Sequence, residues 1–438
     1  MTDITGRSQS AASAVGAETA VTSRDARRIA VAAFVGTAME WYDYFLYGTA
    51  ASLVFNRLYF ASGNTAAATL AAFASFGVGF LARPIGAVVF GHIGDRYGRR
   101  VSLLATVTMI GVATGLIGML PTYAAIGIAA PVLLTLLRVL QGIAMGGEWS
   151  GAITLAVEHA PPERRVRYAV LPQVGSPVGT LLSSGAFTLV SLLPKGQFDS
   201  WGWRLPFLGA VPLLLVALYL RRRVQESPLF RRILETEEPA RLPAIEIFSL
   251  ASGRMLLGLA VSLLPIAGFY LMTTFAIGYG TETLGVSRSL MVGATVIAAA
   301  IQIGVLFVFG RIAERLGAAL VCCLGSLATA ALAFPVFMLI DTARPLAVVL
   351  GMTVAIAVQS VPFAVTGAVL ADLFPARLRY SGIAISYSAA GVISGFVPLA
   401  AASLVTAAGG RSWPAATVLL VIALMTAAGG FVTSLLRK

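Results

Sequence analysis

Four polar residues in one apolar stretch, "MEWYDYFLYG", have the spacing of a single helical face. Glu40, Asp43, Tyr44 and Tyr47 stand at positions i, i+3, i+4 and i+7. Placing one charge at the centre of a bilayer costs at least ~2.5–3.5 kcal/mol, so acids in such a stretch indicate a functional site. A carboxylate that gains and loses a proton near the middle of a membrane can drive transport.

Two arginines in other apolar stretches could meet these acids. Arg83 precedes Asp95 by twelve residues, or about 18 Å of helix, which places it well inside the membrane. Arg138 shares the stretch "RVLQGIAMGGEWSG" with Gln141 and Glu148, and the three side chains fall within an arc of roughly 80°. A guanidinium group offers a planar two-point grip on a carboxylate. Either arginine could therefore form a structural ion pair with the acids or bind an acidic substrate, and we expect Arg138 to have the leading part in substrate binding.

These patterns give two groups of candidate site residues. For proton coupling the candidates are Asp43, Glu40 and Glu148, and the first two are favoured because acids one turn apart repel when both are ionised. The later apolar stretches carry no charge at their centres, so they would contribute neutral hydrogen bonds to a substrate. The candidate substrate-binding residues are Arg138, Arg83, Tyr44, Gln141, Tyr270, Gln302, Gln359 and Tyr387.

The composition indicates that helices in a lipid bilayer position these residues. Hydrophobic residues make up 58% of the 438 and charged residues only 11%, whereas a soluble domain carries roughly 25%. A helix needs about 20 apolar residues to cross a bilayer. Twelve runs of that kind are present, at roughly 29–55, 69–92, 101–120, 126–157, 168–193, 203–220, 255–281, 289–310, 317–340, 346–371, 380–408 and 413–436.

A long arginine-rich interruption divides the twelve runs into six and six. We predict an all-α membrane protein with a disordered cytoplasmic tail at 1–28, a six-helix half at 29–220, a cytoplasmic linker at 221–254 and a second six-helix half at 255–438. With both termini in the cytoplasm, the cytoplasmic segments carry several times as many Lys and Arg as the outer loops. That bias follows the positive-inside rule.

Charge and cysteine usage exclude several other classes of protein. The net charge of +12 comes from short clusters between apolar runs, which suits contact with a membrane surface better than binding of nucleic acid. Cys322 and Cys323 lie together in an apolar run, where cysteines usually pack as small hydrophobes. The two histidines show no metal-ligand spacing, so the sequence predicts neither a metal site nor a cofactor. No nucleophile–base pair indicates an enzyme.

The segment "GHIGDRYGRR" at 91–100 resembles the signature of the major facilitator superfamily between its second and third helices. A degenerate second copy, "GRIAERLG", stands at 310–317, where an internal repeat would place it. The resemblance implies that Asp95 lies against the N-terminus of helix eleven. It also implies that Arg96 and Arg99 pair with acids such as Glu158. The gating residues would be Asp95, Arg96, Arg99, Glu158, Glu314 and Arg315.

A narrower resemblance extends along most of the chain. The motifs "EWYDYFLYG", "FLARPIGAVVFGHIGDRYGRR", "RVLQGIAMGGEWSG", "WGWRLPFLGA", "ESPLF" and "LFPARLRYSG" are similar to the metabolite:proton symporter family, and "GGEWSGA" is similar to its shikimate permease branch.

This resemblance implies a multi-pass protein of the bacterial inner membrane that takes up a small organic acid with protons. We predict that it acts as a monomer among membrane lipids. A second reading is a symporter of a zwitterion such as proline or betaine, with Trp41, Tyr44 and Tyr270 offering aromatic faces to a cationic group. A channel is disfavoured, because two repeated halves with buried charges suit alternating access.

Overall fold

The computed structural model describes residues 23–60, 65–236 and 243–436, and nearly all of them are helical. Most of the predicted tail, residues 1–22, lies outside this range, and its last six residues belong to the first helix. The long helices, labelled α1 to α12, are Ser23–Ala50, Thr65–Arg96, Arg99–Met119, Ala129–Glu158, Arg165–Ser191, Ala210–Arg222, Pro243–Leu263, Arg288–Leu316, Ala318–Asp341, Pro345–Leu373, Arg379–Ala407 and Trp413–Leu435.

Helix α7 is continued by a stretch of irregular helix. Three π-helical segments follow it at Leu264–Gly268, Leu271–Phe275 and Tyr279–Thr283. Pro265 lies in the first of them and has no backbone N–H to donate, so the regular hydrogen-bond ladder cannot continue through it. Such π-turns are frequent at functional sites. A short amphipathic linker helix, Pro228–Thr236, lies between α6 and α7.

Ten helical stretches among the described residues are long and apolar enough to cross a membrane. Helices α1 and α5 are not among them, because both are more polar than the rest. These two helices pack against each other along much of their length. The described residues form twelve long helices, which is consistent with the twelve apolar runs of the sequence.

Each half has its own internal packing. In the first half α1 packs on α5, α2 and α3 pack on α4, and α6 packs on α3. In the second half α9 packs on α10 and α12, α8 packs on α10, and α7 packs on α11 and α12. The halves meet mainly through α2 with α11 and through α5 with α8. The helices that carry the buried acids and arginines of the sequence analysis, α1, α2 and α4, therefore pack together in the first half.

Glycines allow α2 and α4 to approach closely. A Cβ atom added to Gly142 would lie 2.1 Å from the backbone oxygen of Gly79, and one added to Gly86 would lie 1.7 Å from that of Ile143. Small residues of this kind let membrane helices pack with their backbones in contact. The contact fixes the depth at which the charged residues of α2 and α4 face each other.

We expect Gly142→Ala to destabilise the protein, because its methyl group meets backbone that cannot move aside. Overpacking of this type typically costs ~1–3 kcal/mol. The measurement is the thermal unfolding midpoint of the purified protein in detergent. Gly77→Ala is the matched control on α2, since nothing lies within 4 Å of its added Cβ. Equal unfolding midpoints for the two variants would contradict the close approach of α2 and α4.

Candidate functional site

Asp43 of α1 lies at the centre of a fully buried polar cluster. Its Oδ1 accepts hydrogen bonds from Thr114 Oγ1 at 2.5 Å and from Gln141 Nε2 at 2.6 Å. Arg138 Nη1 lies 3.4 Å from Asp43 Oδ2, and both side chains are only 1% exposed. The Arg138 guanidinium also lies 4.5 Å from the centre of the Tyr47 ring. This acid and this base are thus paired entirely within the first half.

A looser pair lies one helical turn away. Arg83 Nη2 is 3.8 Å from Glu40 Oε1, which is ion-pair contact but too long for a hydrogen bond. The same guanidinium touches Met145 Sδ at 3.5 Å and lies 5.0 Å from the centre of the Phe80 ring. Glu40 Oε2 is buried and has no hydrogen-bond partner among the described residues. The pair therefore keeps unused hydrogen-bonding capacity.

Aromatic rings from both halves meet beside this looser pair. The ring centre of Tyr270, which follows α7, lies 5.9 Å from that of Tyr44 and 5.6 Å from that of Phe80. Phe269 packs edge-on against Trp41 at 5.4 Å. The Arg83–Glu40 pair thus lies next to the seam between the halves, whereas the Asp43–Arg138 pair lies deeper in the first half.

Of the other substrate-binding candidates in the second half, Tyr387 and Gln359 lie at or near the seam, and Gln302 does not. Tyr387 of α11 stacks on Trp149 of α4 with ring centres 3.7 Å apart, so it reaches the seam. Gln359 packs on Gly268, next to Phe269, and its buried Oε1 accepts no hydrogen bond within the described part of the chain. Gln302 is buried in α8, and no described contact links it to the charged cluster.

Glu148 has a partner that the sequence analysis missed. Both of its carboxylate oxygens contact the Arg221 guanidinium, one of them at 2.9 Å from Nη1. Thr106 Oγ1 donates a further hydrogen bond at 2.5 Å. Arg221 falls in the predicted linker, but it lies in the last turn of α6 with 3% of its surface exposed. Hydropathy cannot distinguish an arginine that turns back into the bundle from one that enters water.

On the cytoplasmic side Asp95 joins the two halves. Its carboxylate accepts hydrogen bonds from the backbone N–H groups of Tyr380 at 3.3 Å and Ser381 at 2.9 Å, in the first turn of α11. Arg99 Nη2 lies 3.3 Å from Asp95 Oδ1, and Arg99 Nε lies 3.5 Å from Glu158. The contact of Asp95 with the N-terminus of helix eleven is confirmed.

Arg96 behaves differently from Arg99. It is exposed and lies 5.7 Å from the ring centre of Tyr97, and the second partner of Glu158 is instead Arg379, at 3.1 Å. In the second signature copy Glu314 pairs with Arg167 of α5 at 2.6 Å, while Arg315 is exposed. The expected pairing thus holds for Arg99, and Arg379 takes the place expected of Arg96.

The linker adds a further layer beneath these contacts. Glu226 accepts hydrogen bonds from the backbone N–H groups of Arg99 at 3.0 Å and Arg100 at 3.1 Å, at the first turn of α3. The Phe230 ring lies 4.4 Å from the Arg99 guanidinium. Burial lowers the pKa of the nearby His159 imidazole, and the acids Glu158 and Glu226 oppose that shift only in part. The cytoplasmic ends of the two halves are therefore held closed.

Comparison with known proteins identifies the chain. Residues 29–246 match the family model described as "Sugar (and other) transporter". A shikimate transporter of Escherichia coli (strain K12) is 40% identical, covering 94% of this chain and 94% of that protein. The chain belongs to the major facilitator superfamily. The predicted resemblance to its metabolite transporters is confirmed, and the protein is a multi-pass transporter of the bacterial inner membrane rather than an enzyme.

Two further matches extend this result. A proline/betaine transporter of Salmonella typhimurium (strain LT2) is 33% identical, covering 91% of this chain and 82% of that protein. The solved structure of a proton:xylose symporter with 6-bromo-6-deoxy-D-glucose has a TM-score of 0.77 at 17% identity, covering 93% of this chain and 95% of that chain. The helical fold of the superfamily is thus established.

We expect Asp95→Asn to favour opening of the cytoplasmic side, because a neutral amide binds the positive end of α11 less strongly than a carboxylate does. Spin labels on the exposed residues Arg164 and Arg315 would report the distance between α5 and α8. The variant should gain a population at longer distance. Glu235→Gln, which removes an exposed acid of the linker helix, is the control. An unchanged distance distribution in Asp95→Asn would exclude a gating role for this carboxylate.

Proposed function

We propose that the protein takes up a small organic acid together with protons by alternating access. In this proposal the Asp43–Arg138 pair handles the proton, and Arg83 holds the substrate carboxylate. The observation that carries it is the difference between the two arginines: Arg138 is occupied within the first half, while Arg83 faces the seam with only a loose partner.

The geometry around Asp43 suits reversible protonation. The ionised carboxylate is stabilised by Arg138 and by the donors Thr114 and Gln141. Adding a proton removes the charge that holds Arg138 in place, so protonation would change the packing of α1 against α4. Because the cluster is almost fully buried, a proton reaches it only when the halves move. Proton binding and conformational change are then linked through one contact.

The other two acids fit this role less well. Both oxygens of Glu148 are engaged by Arg221 and Thr106. We therefore assign Glu148 to a structural ion pair, whose loss would leave an uncompensated buried charge. Glu40 has no comparable set of hydrogen-bond donors. It lies beside the seam between the halves rather than deep within the first half.

Substrate binding by Arg83 differs from the first expectation, which gave Arg138 the leading part. The Arg83 side chain is 11% exposed, against 1% for Arg138. Its guanidinium contacts a thioether and a ring, and a carboxylate could replace these weak contacts with two charge-assisted hydrogen bonds. The rings of Tyr44, Phe80 and Tyr270 would pack on the body of the ligand.

A zwitterionic substrate is the second candidate, and two observations favour it. The aromatic cluster of Trp41, Tyr44 and Tyr270 offers ring faces to a cationic group. The chain is also 33% identical to a proline/betaine transporter. Competition of labelled shikimate uptake by unlabelled betaine and proline would rank the two candidates.

Asp43→Asn resembles the protonated state, so we expect exchange of substrate across the membrane to survive while accumulation driven by a proton gradient is lost. The measurement is labelled shikimate counterflow beside gradient-driven uptake in the same proteoliposomes. The exposed Glu163→Gln serves as the control and should retain both activities. Accumulation at the wild-type level by Asp43→Asn would assign the proton to another group.

Replacement of Arg83 by Lys keeps the charge but loses the two-point geometry. Equilibrium binding of shikimate should weaken by ~1.5–3 kcal/mol, the usual value of a hydrogen bond to a charged group, or roughly tenfold to more than a hundredfold. Arg138→Lys is the matched comparison and should affect shikimate affinity less than Arg83→Lys does. The reverse order would return the substrate contact to Arg138.

A further inference from the structure

Glu40 is a buried acid, and one of its carboxylate oxygens accepts no hydrogen bond from the described residues. It is 4% exposed, its Oε2 has no hydrogen-bond partner in the described ranges, and its Oε1 meets only Arg83 at 3.8 Å. A buried polar group without hydrogen bonds is costly and uncommon in folded proteins. Asp43, one turn along the same helix, accepts two short hydrogen bonds. Of these two neighbouring acids, only Glu40 has a carboxylate oxygen without a hydrogen bond in the described residues.

We propose that Glu40 determines specificity by accepting hydrogen bonds from hydroxyl groups of the substrate, so that the transported acid is a hydroxylated one. This inference rests on the proposed function, in which Arg83 holds the substrate carboxylate. A ligand at the seam between the two halves would offer its carboxylate to Arg83 and its hydroxyl groups to Glu40, while the rings of Tyr44 and Tyr270 contact its apolar face. Glu40 would then gain the hydrogen bond that its Oε2 lacks, and Arg83 would exchange weak contacts for charge-assisted hydrogen bonds.

The unpaired Oε2 of Glu40 separates hydroxylated acids from simple carboxylic acids and from betaine. A simple carboxylic acid has no donor for Glu40, so binding would leave Oε2 both buried and unsatisfied. Betaine also lacks any O–H or N–H donor. Sites built to hydrogen-bond a hydroxyl reject analogues without it far more strongly than apolar pockets reject a missing methylene group. An acid with several hydroxyl groups satisfies both members of the Arg83–Glu40 pair.

The inference also separates Glu40 from a proton carrier. A residue that only carries the proton would affect the accumulation of every substrate equally. If a residue instead hydrogen-bonds to hydroxyl groups, its substitution would change the ratio of affinities for two acids that differ only in those groups. Shikimate and cyclohex-1-ene-1-carboxylate form such a pair, since the second has the same ring and carboxylate without the hydroxyl groups.

The test measures the binding of these two acids to the full chain in proteoliposomes, by competition in counterflow, which needs no proton gradient. We expect the wild-type protein to prefer shikimate by about tenfold or more, as hydrogen bonds to a charged group imply. Glu40→Gln should bring the ratio towards one by weakening shikimate alone. Glu40→Asp keeps the charge and should retain part of the preference. Glu163→Gln, which removes an exposed acid, is the control and should leave the ratio unchanged.

Each contrary outcome is distinguishable. Equal binding of the two acids by the wild-type protein, or equal weakening of both in Glu40→Gln, would overturn the role of Glu40 while leaving acid transport in place. Stronger competition by proline than by shikimate, lost in Glu40→Gln, would assign Glu40 to an ammonium group instead. Binding of neither acid by the wild-type protein would overturn the proposed function and this inference together.

Discussion

The need to pair every charge that lies in the membrane governs this structure. Removing an ion from water costs several kcal/mol even after relaxation, and only a close partner with good geometry offsets that cost. The first half contains three ion pairs beside successive turns of α1. They are Glu148 with Arg221 near Gly36, Arg83 with Glu40, and Arg138 with Asp43. The close packing of α2 on α4 brings the basic partners of α1 to the right depth.

The three pairs differ in how completely they are satisfied, and that difference separates their roles. Both carboxylate oxygens of Glu148 are engaged, and its pairing with Arg221 ties the end of α6 to α4. The Asp43 carboxylate is satisfied by Thr114 on α3 and by Gln141 and Arg138 on α4, so a proton there competes with a defined set of contacts. The Arg83–Glu40 pair is under-satisfied and faces the second half. A ligand therefore has most to gain at the last pair.

The second half supplies surfaces rather than charges. The irregular helix after α7 presents Phe269 and Tyr270 to the rings of α1 and α2, and α11 presents Tyr387 to Trp149. On the cytoplasmic side the relation is different. There the first turn of α11 offers backbone N–H groups to Asp95, and Glu158 of the first half pairs with Arg379. Both halves of the chain thus contribute to the closed cytoplasmic side.

The sequence by itself determined the helical class and, except for Arg221, the acids and arginines of the three pairs in the first half. These features depend on composition and on spacing within one helix, which a linear pattern records. The tertiary structure decided which arginine meets which acid. Arg221 falls in the predicted linker but turns back to Glu148. Arg379 rather than Arg96 pairs with Glu158. Arg138 is buried in its pair with Asp43, whereas Arg83 has only a loose partner in Glu40. Such pairings depend on the rotation and depth of separate helices, which their close packing fixes and which no single stretch of sequence encodes.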